Sequence, residues 1–153
     1  MAKAWRERRV TKTYRALVTG SPERDGYTVE AAIGRVPHPW LGTVFAALPD
    51  GLPSRSDVRV LERRGAASPV EVRIDTGRPQ QVRIHMAASG HPLVGDPLYA
   101  AGGGLVGEGT ALPGATGYLL HAMRLALVHP ETGEPFEVES RPPRALRGSA
   151  EEE

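Results

Sequence analysis

Eighteen glycines and fourteen prolines are spread along 153 residues, and they leave few uninterrupted stretches long enough for a helix. Glycine weakens a helix, and proline breaks the interior of a helix or a sheet. This density therefore predicts short elements joined by many turns. One window escapes. Pro79 suits a first helical turn, the run QQVRIHMAAS from Gln80 to Ser89 favours helix moderately, and Gly90 followed by Pro92 supplies a stop. A helix of about three turns is predicted there.

The other segments read as strands. Lys12 to Thr19 (KTYRALVT) is rich in β-formers with imperfect alternation, which predicts a strand buried on both faces. After the turn signal Asp25-Gly26, Tyr27 to Ile33 reads as a second strand, paired with the first as a hairpin. From Gly34 to Pro53 the chain holds Pro37, Pro39, Gly42, Pro49, Gly51 and Pro53, so a loop or insertion is expected. Asp57 to Leu61 and Val70 to Asp75 are further strands. In the second, Val70, Val72 and Ile74 face one side and Glu71, Arg73 and Asp75 the other, the mark of a half-buried strand. Residues 101 to 117 form a Gly-rich loop. Beyond it Leu119, His121, Met123, Leu125 and Leu127 alternate on one face, and a turn at Glu131-Thr132-Gly133 returns the chain through Phe136 to Val138 as a hairpin. Strands without βαβ alternation, plus one helix, predict a single α+β domain with a largely antiparallel mixed sheet over residues 1–145. Arg141 to Arg147 are expected to fray, and residues 146–153 to form a disordered acidic tail.

Composition narrows the chemistry. Without cysteine there is neither a disulfide framework nor a thiolate metal site, and a reducing compartment, the cytoplasm by default, fits. The five histidines show no H-x-x-x-H pair and no carboxylate at ligand spacing, so no metal is expected. Gly102 to Gly107 satisfies G-x-G-x-x-G, but it lacks the preceding strand, following helix and downstream acid of a dinucleotide site. No apolar run approaches the roughly 20 residues that cross a bilayer. Net charge is only +1, yet Lys3, Arg6, Arg8, Arg9, Lys12 and Arg15 crowd one end and three glutamates the other. A solvated face is the commoner origin of such a cluster; a phosphate backbone is also a compatible partner.

The most informative stretch is Thr76-Gly-Arg-Pro-Gln-Gln-Val-Arg-Ile-His85 with Ser89-Gly-His-Pro-Leu-Val-Gly-Asp-Pro-Leu-Tyr99. Arg78 falls at a strand-to-helix turn, Gln81 and His85 share a helix face, and Arg83 lies on a neighbouring one. Polar groups thus gather at a helix N-terminus, whose free N–H groups and dipole suit phosphate or carboxylate. An amphipathic helix facing solvent would read the same way.

This stretch resembles the late signature of RluA-like pseudouridine synthases, TGR-x-HQ-x-R-x-H followed by GHP-x-x-GD-x-x-Y. KTYRALVTG resembles that family's K-x-Y-x-A strand, and LLHAMRLALVHPETGEPFEVESRPP its closing LHA hairpin, so the likeness covers most of residues 12 to 143. The resemblance implies a pseudouridine synthase-like fold and an RNA substrate, ribosomal or transfer. It also implies a reaction in which an aspartate attacks uridine and the base is detached, rotated and reattached through carbon, without cofactor or metal. Tyr14 matches the tyrosine that packs on uracil. Arg83 matches the arginine that pairs with the catalytic aspartate, a pairing that keeps a carboxylate ionised. Lys12, Arg78, Gln81 and His85 become candidates for RNA contact or pocket shaping, and Arg124 and the basic N-terminal residues for the backbone.

Two departures stand out. Gln80 replaces the motif's usual histidine, and no HRLD-like segment with an aspartate precedes Tyr14. Asp96, within the GD match, is expected to serve a turn rather than to replace that nucleophile. The expectation is therefore a synthase domain inactive as this isolated chain, through truncation or a misplaced start; the alternative is a non-catalytic RNA-binding remnant. Missing neighbouring strands would also leave an exposed sheet edge prone to self-association.

Overall fold

A computed structural model describes residues 10–39, 42–75, 77–99, 120–128, 131–143 and 146–148. Eight strands and one helix follow in the order β1 (Val10–Thr19), β2 (Gly26–Val29), β3 (Ile33–His38), β4 (Gly42–Ala47), β5 (Ser56–Val60), β6 (Ala67–Ile74), α1 (Gln81–Ala88), β7 (Leu120–Val128) and β8 (Pro135–Glu139). Six strands form one sheet in the order β2-β5-β6-β1-β7-β8, and β3 and β4 form a separate ribbon. Every described pairing is antiparallel, so the α+β expectation holds.

Register explains which residues meet. Tyr14 lies opposite Val72, Ala16 opposite Val70, and Val58 also opposite Val72. That face carries Ala16, Val18, Val58, Val70, Val72 and Ile74, packed against Val82, Met86 and Leu93. Full burial of such side chains contributes about 1.5–3 kcal/mol each. The alternation of β6 holds as expected. On its other face, Glu71 bridges Arg15 and Arg59 at 3.3 and 2.8 Å.

Several expectations are corrected. β1 and β2 are not a hairpin: β1 sits between β6 and β7, while β2 pairs with β5. The stretch expected to be a loop from Gly34 contains the β3–β4 ribbon. Pro37 is tolerated because, among the described residues, the outer side of β3 pairs only at Ile33, with Leu52, and leaves no ladder to satisfy at Pro37. The helix is eight residues, shorter than three turns, because Gln80 takes a left-handed conformation at its start. It is not amphipathic either. The large sheet covers one side, while Ile33, Phe45, Leu98 and Tyr99 pack around Ile84 and Ala87 on another, so all seven residues from Gln81 to Ala87 are buried.

The alternation expected in β7 is also broken. Thr13 pairs with Arg124 but Tyr14 with Ala122, so Met123 is an extra, bulged residue. The bulge puts Leu120 and Ala122 on the same face as Leu125 and Leu127, opposite Ala16, Tyr14, Lys12 and Val10 respectively. The β7–β8 hairpin itself forms as expected. Fraying is not what the Arg141–Arg147 stretch shows at its end. Leu146 is 1% exposed and its carbonyl accepts a hydrogen bond from Arg15 Nη1. The Gly-rich segment 101–117, the basic residues Lys3 to Arg9 and the terminal glutamates lie outside the described residues.

Candidate active site

Where the helix starts against β1, a cavity of about 160 Å³ opens, lined by Tyr14, Ile74, Arg78, Gln80, Gln81, Val82, Arg83 and Leu120. Three parts of the chain far apart in sequence build it. β1 supplies Tyr14, the turn after β6 with the first turn of α1 supplies the polar residues, and the start of β7 supplies Leu120. The volume is well below the ~300–1,000 Å³ of a drug-sized site, which suits one small ring.

Arg83 is 1% exposed. Its Nε and Nη2 donate to the two Asp96 oxygens at 2.9 and 2.8 Å, its Nη1 donates to Gln80 Oε1 at 3.0 Å, and it lies 4.9 Å over the Tyr99 ring. A carboxylate partner was expected for this arginine; within the described residues that partner is Asp96. The Asp96 oxygen Oδ1 also accepts the backbone N–H groups of Leu98 and Tyr99. Burial opposes ionisation of Asp96, but these hydrogen bonds and the Arg83 charge outweigh it and hold its carboxyl below the usual carboxylate range. Gly95, at φ 79, makes the turn that delivers it. Thr19 N–H to Pro92 O and Val94 N–H to Leu17 O pin that segment to β1.

Gln81 and His85, candidates for RNA contact, are 2% and 0% exposed. Gln81 Nε2 donates to Arg55 O and Ser56 Oγ, and its Oε1 accepts Arg78 N–H. His85 Nε2 lies 2.7 Å from Ala31 O, and since a carbonyl only accepts, that nitrogen carries the proton. Its Nδ1 then accepts from the Ser56 hydroxyl at 2.7 Å. Their polar atoms are thus engaged within the protein, tying α1 to β5. Arg78 is half-buried on the cavity wall, its Nε donating to Pro53 O. Lys12 lines a second cavity of about 280 Å³ with Tyr14, Ala122, Met123 and Leu125, and burial lowers its pKa. Tyr14 stands between the two cavities. Burial raises its pKa, so the ring stays a neutral phenol, and its hydroxyl makes no hydrogen bond among the described residues. Arg124 lies away from the first cavity, paired with Glu137 at 2.7 Å.

Sequence reasoning missed Asp96, Tyr99 and Leu120 as parts of one site, whereas Gln80, expected to alter hydrogen bonding at the pocket edge, does line the cavity. The signal for the first two was present in the GHPLVGDPLY match, but helix periodicity cannot link Asp96 to Arg83.

Burial depresses the His85 pKa below its ordinary 6.5. As pH falls through 6.5 the unfolded chain takes up a proton that the folded one resists, so stability present above 6.5 is lost toward the depressed folded value. Asp96 adds a second loss as pH falls below 3.8. Urea unfolding midpoints should therefore drop between pH 7.5 and pH 5, and His85→Gln should flatten that drop. An unchanged slope in the variant removes His85 as its source.

The model of the RNA pseudouridylate synthase family matches residues 1–88. The chain belongs to this family. An uncharacterised RNA pseudouridine synthase of Synechocystis is 36% identical over 95% of this chain and 50% of its own length. RNA pseudouridine synthase 5 of Oryza sativa is 38% identical over 95% of this chain and 43% of its own. Ribosomal large subunit pseudouridine synthase D of Nitrosomonas europaea is 38% identical over 88% and 38%. The chain thus spans about half or less of the length of these relatives. Among solved structures, human RNA pseudouridylate synthase domain containing 1 superposes with a TM-score of 0.69 at 30% identity, over 95% of this chain and 61% of that one. The pseudouridylate synthase fold and the RluA-like resemblance read from the motifs agree with these findings.

Proposed function

We propose that this chain forms the uridine-binding part of an RNA pseudouridine synthase, acting in the cytoplasm on a ribosomal or transfer RNA. The convergence of Tyr14, Arg78 and Arg83 on one small cavity carries this reading. Tyr14 supplies an aromatic face for a base lifted out of its stack. Arg78 at the rim and Lys12 in the adjoining cavity meet phosphate, while Gln81 and His85 brace the helix that presents Arg83. Isomerisation breaks the bond from ribose C1′ to N1 and makes one from C1′ to C5, C5 losing its proton and N1 gaining one, with the base retained throughout, so no cofactor is consumed.

Among the described residues that line the cavity there is no carboxylate. Turnover then needs an aspartate from outside the described residues, opposite Arg83, and this chain alone is proposed to be inactive. The same observation favours a second reading, a non-catalytic RNA-binding remnant. Supplying the aspartate-bearing segment of a longer relative in trans, with structured RNA, and assaying pseudouridine separates them: turnover excludes the remnant, and no turnover with that segment bound counts against the synthase reading.

Binding itself is tested by titrating a labelled RNA stem-loop at several salt concentrations. Each phosphate contact adds about 0.7–0.9 to the slope of log K against log salt, so Arg78→Ala should reduce the slope by about 1. Absence of binding at low salt sinks both readings. The outermost strands of the described sheet, β2 and β8, the latter carrying Phe136 and Val138 each 49% exposed, are where we place self-association. Sedimentation of a purely monomeric species at high concentration would count against it.

A further inference from the structure

Gln80 stands out on two independent grounds. It is the sole non-glycine residue at positive φ among the described residues, at φ 59, and it lines the cavity that holds Tyr14. A long side chain held left-handed is strained, and such strain gathers at functional sites. Its amide is also oriented by chemistry. An arginine can only donate, so the atom 3.0 Å from Arg83 Nη1 must be the amide oxygen, and Nε2 points the other way. That Nε2 donates no hydrogen bond among the described residues, and the side chain is only partly buried.

We infer that Gln80 is a specificity-determining residue whose Nε2 donates to the 4-carbonyl of a uracil ring seated against Tyr14. The inference rests on the uridine-binding reading and goes beyond it by assigning the base discrimination to one atom. A base entering with its ribose outermost presents the edge opposite the glycosidic bond, which carries N3–H and O4 in uracil. Cytosine offers an amino group at position 4, and two donors then face each other. Arg83 acts in this through Gln80: by occupying Oε1 it prevents the amide from flipping to present an acceptor, which would favour cytosine instead.

The test compares binding of two fluorescein-labelled RNA stem-loops by the full chain, identical except for one loop uridine replaced by cytidine. Both carry the same phosphates, so general electrostatic attraction cancels in the ratio. The unsubstituted chain should favour the uridine loop by about tenfold, the worth of one hydrogen bond gained rather than left unmade. Gln80→Glu keeps an acceptor for Arg83 Nη1 and removes the donor, so the ratio should collapse or invert while the urea midpoint is retained. Gln80→Asn, which tolerates the left-handed backbone but is too short to reach, should also lose the preference. An unaltered ratio in Gln80→Glu overturns the inference, as does equal binding of the two RNAs by the unsubstituted chain, which leaves the RNA-binding reading standing. Failure to bind either RNA overturns both.

Discussion

Asp96→Ala should cost about 3–5 kcal/mol of unfolding free energy, the usual penalty for stripping one partner from a buried ion pair. Both side chains of the pair are 1% exposed, so the Arg83 charge left behind has no water to turn to. The backbone N–H groups of Leu98 and Tyr99 lose their acceptor in the same step. Domains of this kind are stable by only about 5–15 kcal/mol, so the variant approaches the unfolding threshold. Urea denaturation gives the measurement. Asp96→Asn should cost less, since its carbonyl oxygen still serves the backbone. The double variant Arg83→Met, Asp96→Leu should recover much of the loss, because apolar residues of similar volume replace a buried pair at little net cost, yet it should not restore RNA binding. A loss below about 1 kcal/mol for Asp96→Ala, the range of an exposed pair, would show that the pair is solvated and would remove Asp96 as the support of the arginine.

The arrangement around Arg83 shows why part of this site was legible in the sequence and part was not. β6 announced its buried face through strict alternation of Val70, Val72 and Ile74, and Gly90 with Pro92 marked the helix end. Both signals are local. The helix faces were misjudged because solvent exposure is a tertiary property: Gln81, Arg83 and His85 look like the polar side of a surface helix until the β3–β4 ribbon and the 93–99 segment are laid over it. The ribbon was hidden by its prolines, which forbid a central strand but not a two-stranded edge. The bulge at Met123 was equally invisible, since one inserted residue exchanges the faces of all that follow. Tyr14 and Arg83 were identified by motif, not by periodicity, and their meeting at one cavity depends on β1 lying between β6 and β7.

Tyr14→Ala should weaken binding of a uridine-containing RNA roughly 5- to 150-fold, the equivalent of about 1–3 kcal/mol for one stacked base. Tyr14→Phe should bind nearly as well as the unsubstituted chain, because the hydroxyl has no hydrogen bond to lose among the described residues and the phenol stays neutral. Loss of the ring also removes packing from the main core, against which Tyr14 is half-buried, so affinity must be measured where the variant is fully folded. The salt dependence then separates stacking from charge. Tyr14→Ala touches no phosphate and should leave the slope of log K against log salt unchanged while lowering affinity at every salt concentration. Arg78→Ala should do the reverse, flattening the slope. If Tyr14→Ala alters only the slope, or if Tyr14→Phe is as damaging as alanine, the ring is not a stacking platform and the base does not sit in this cavity.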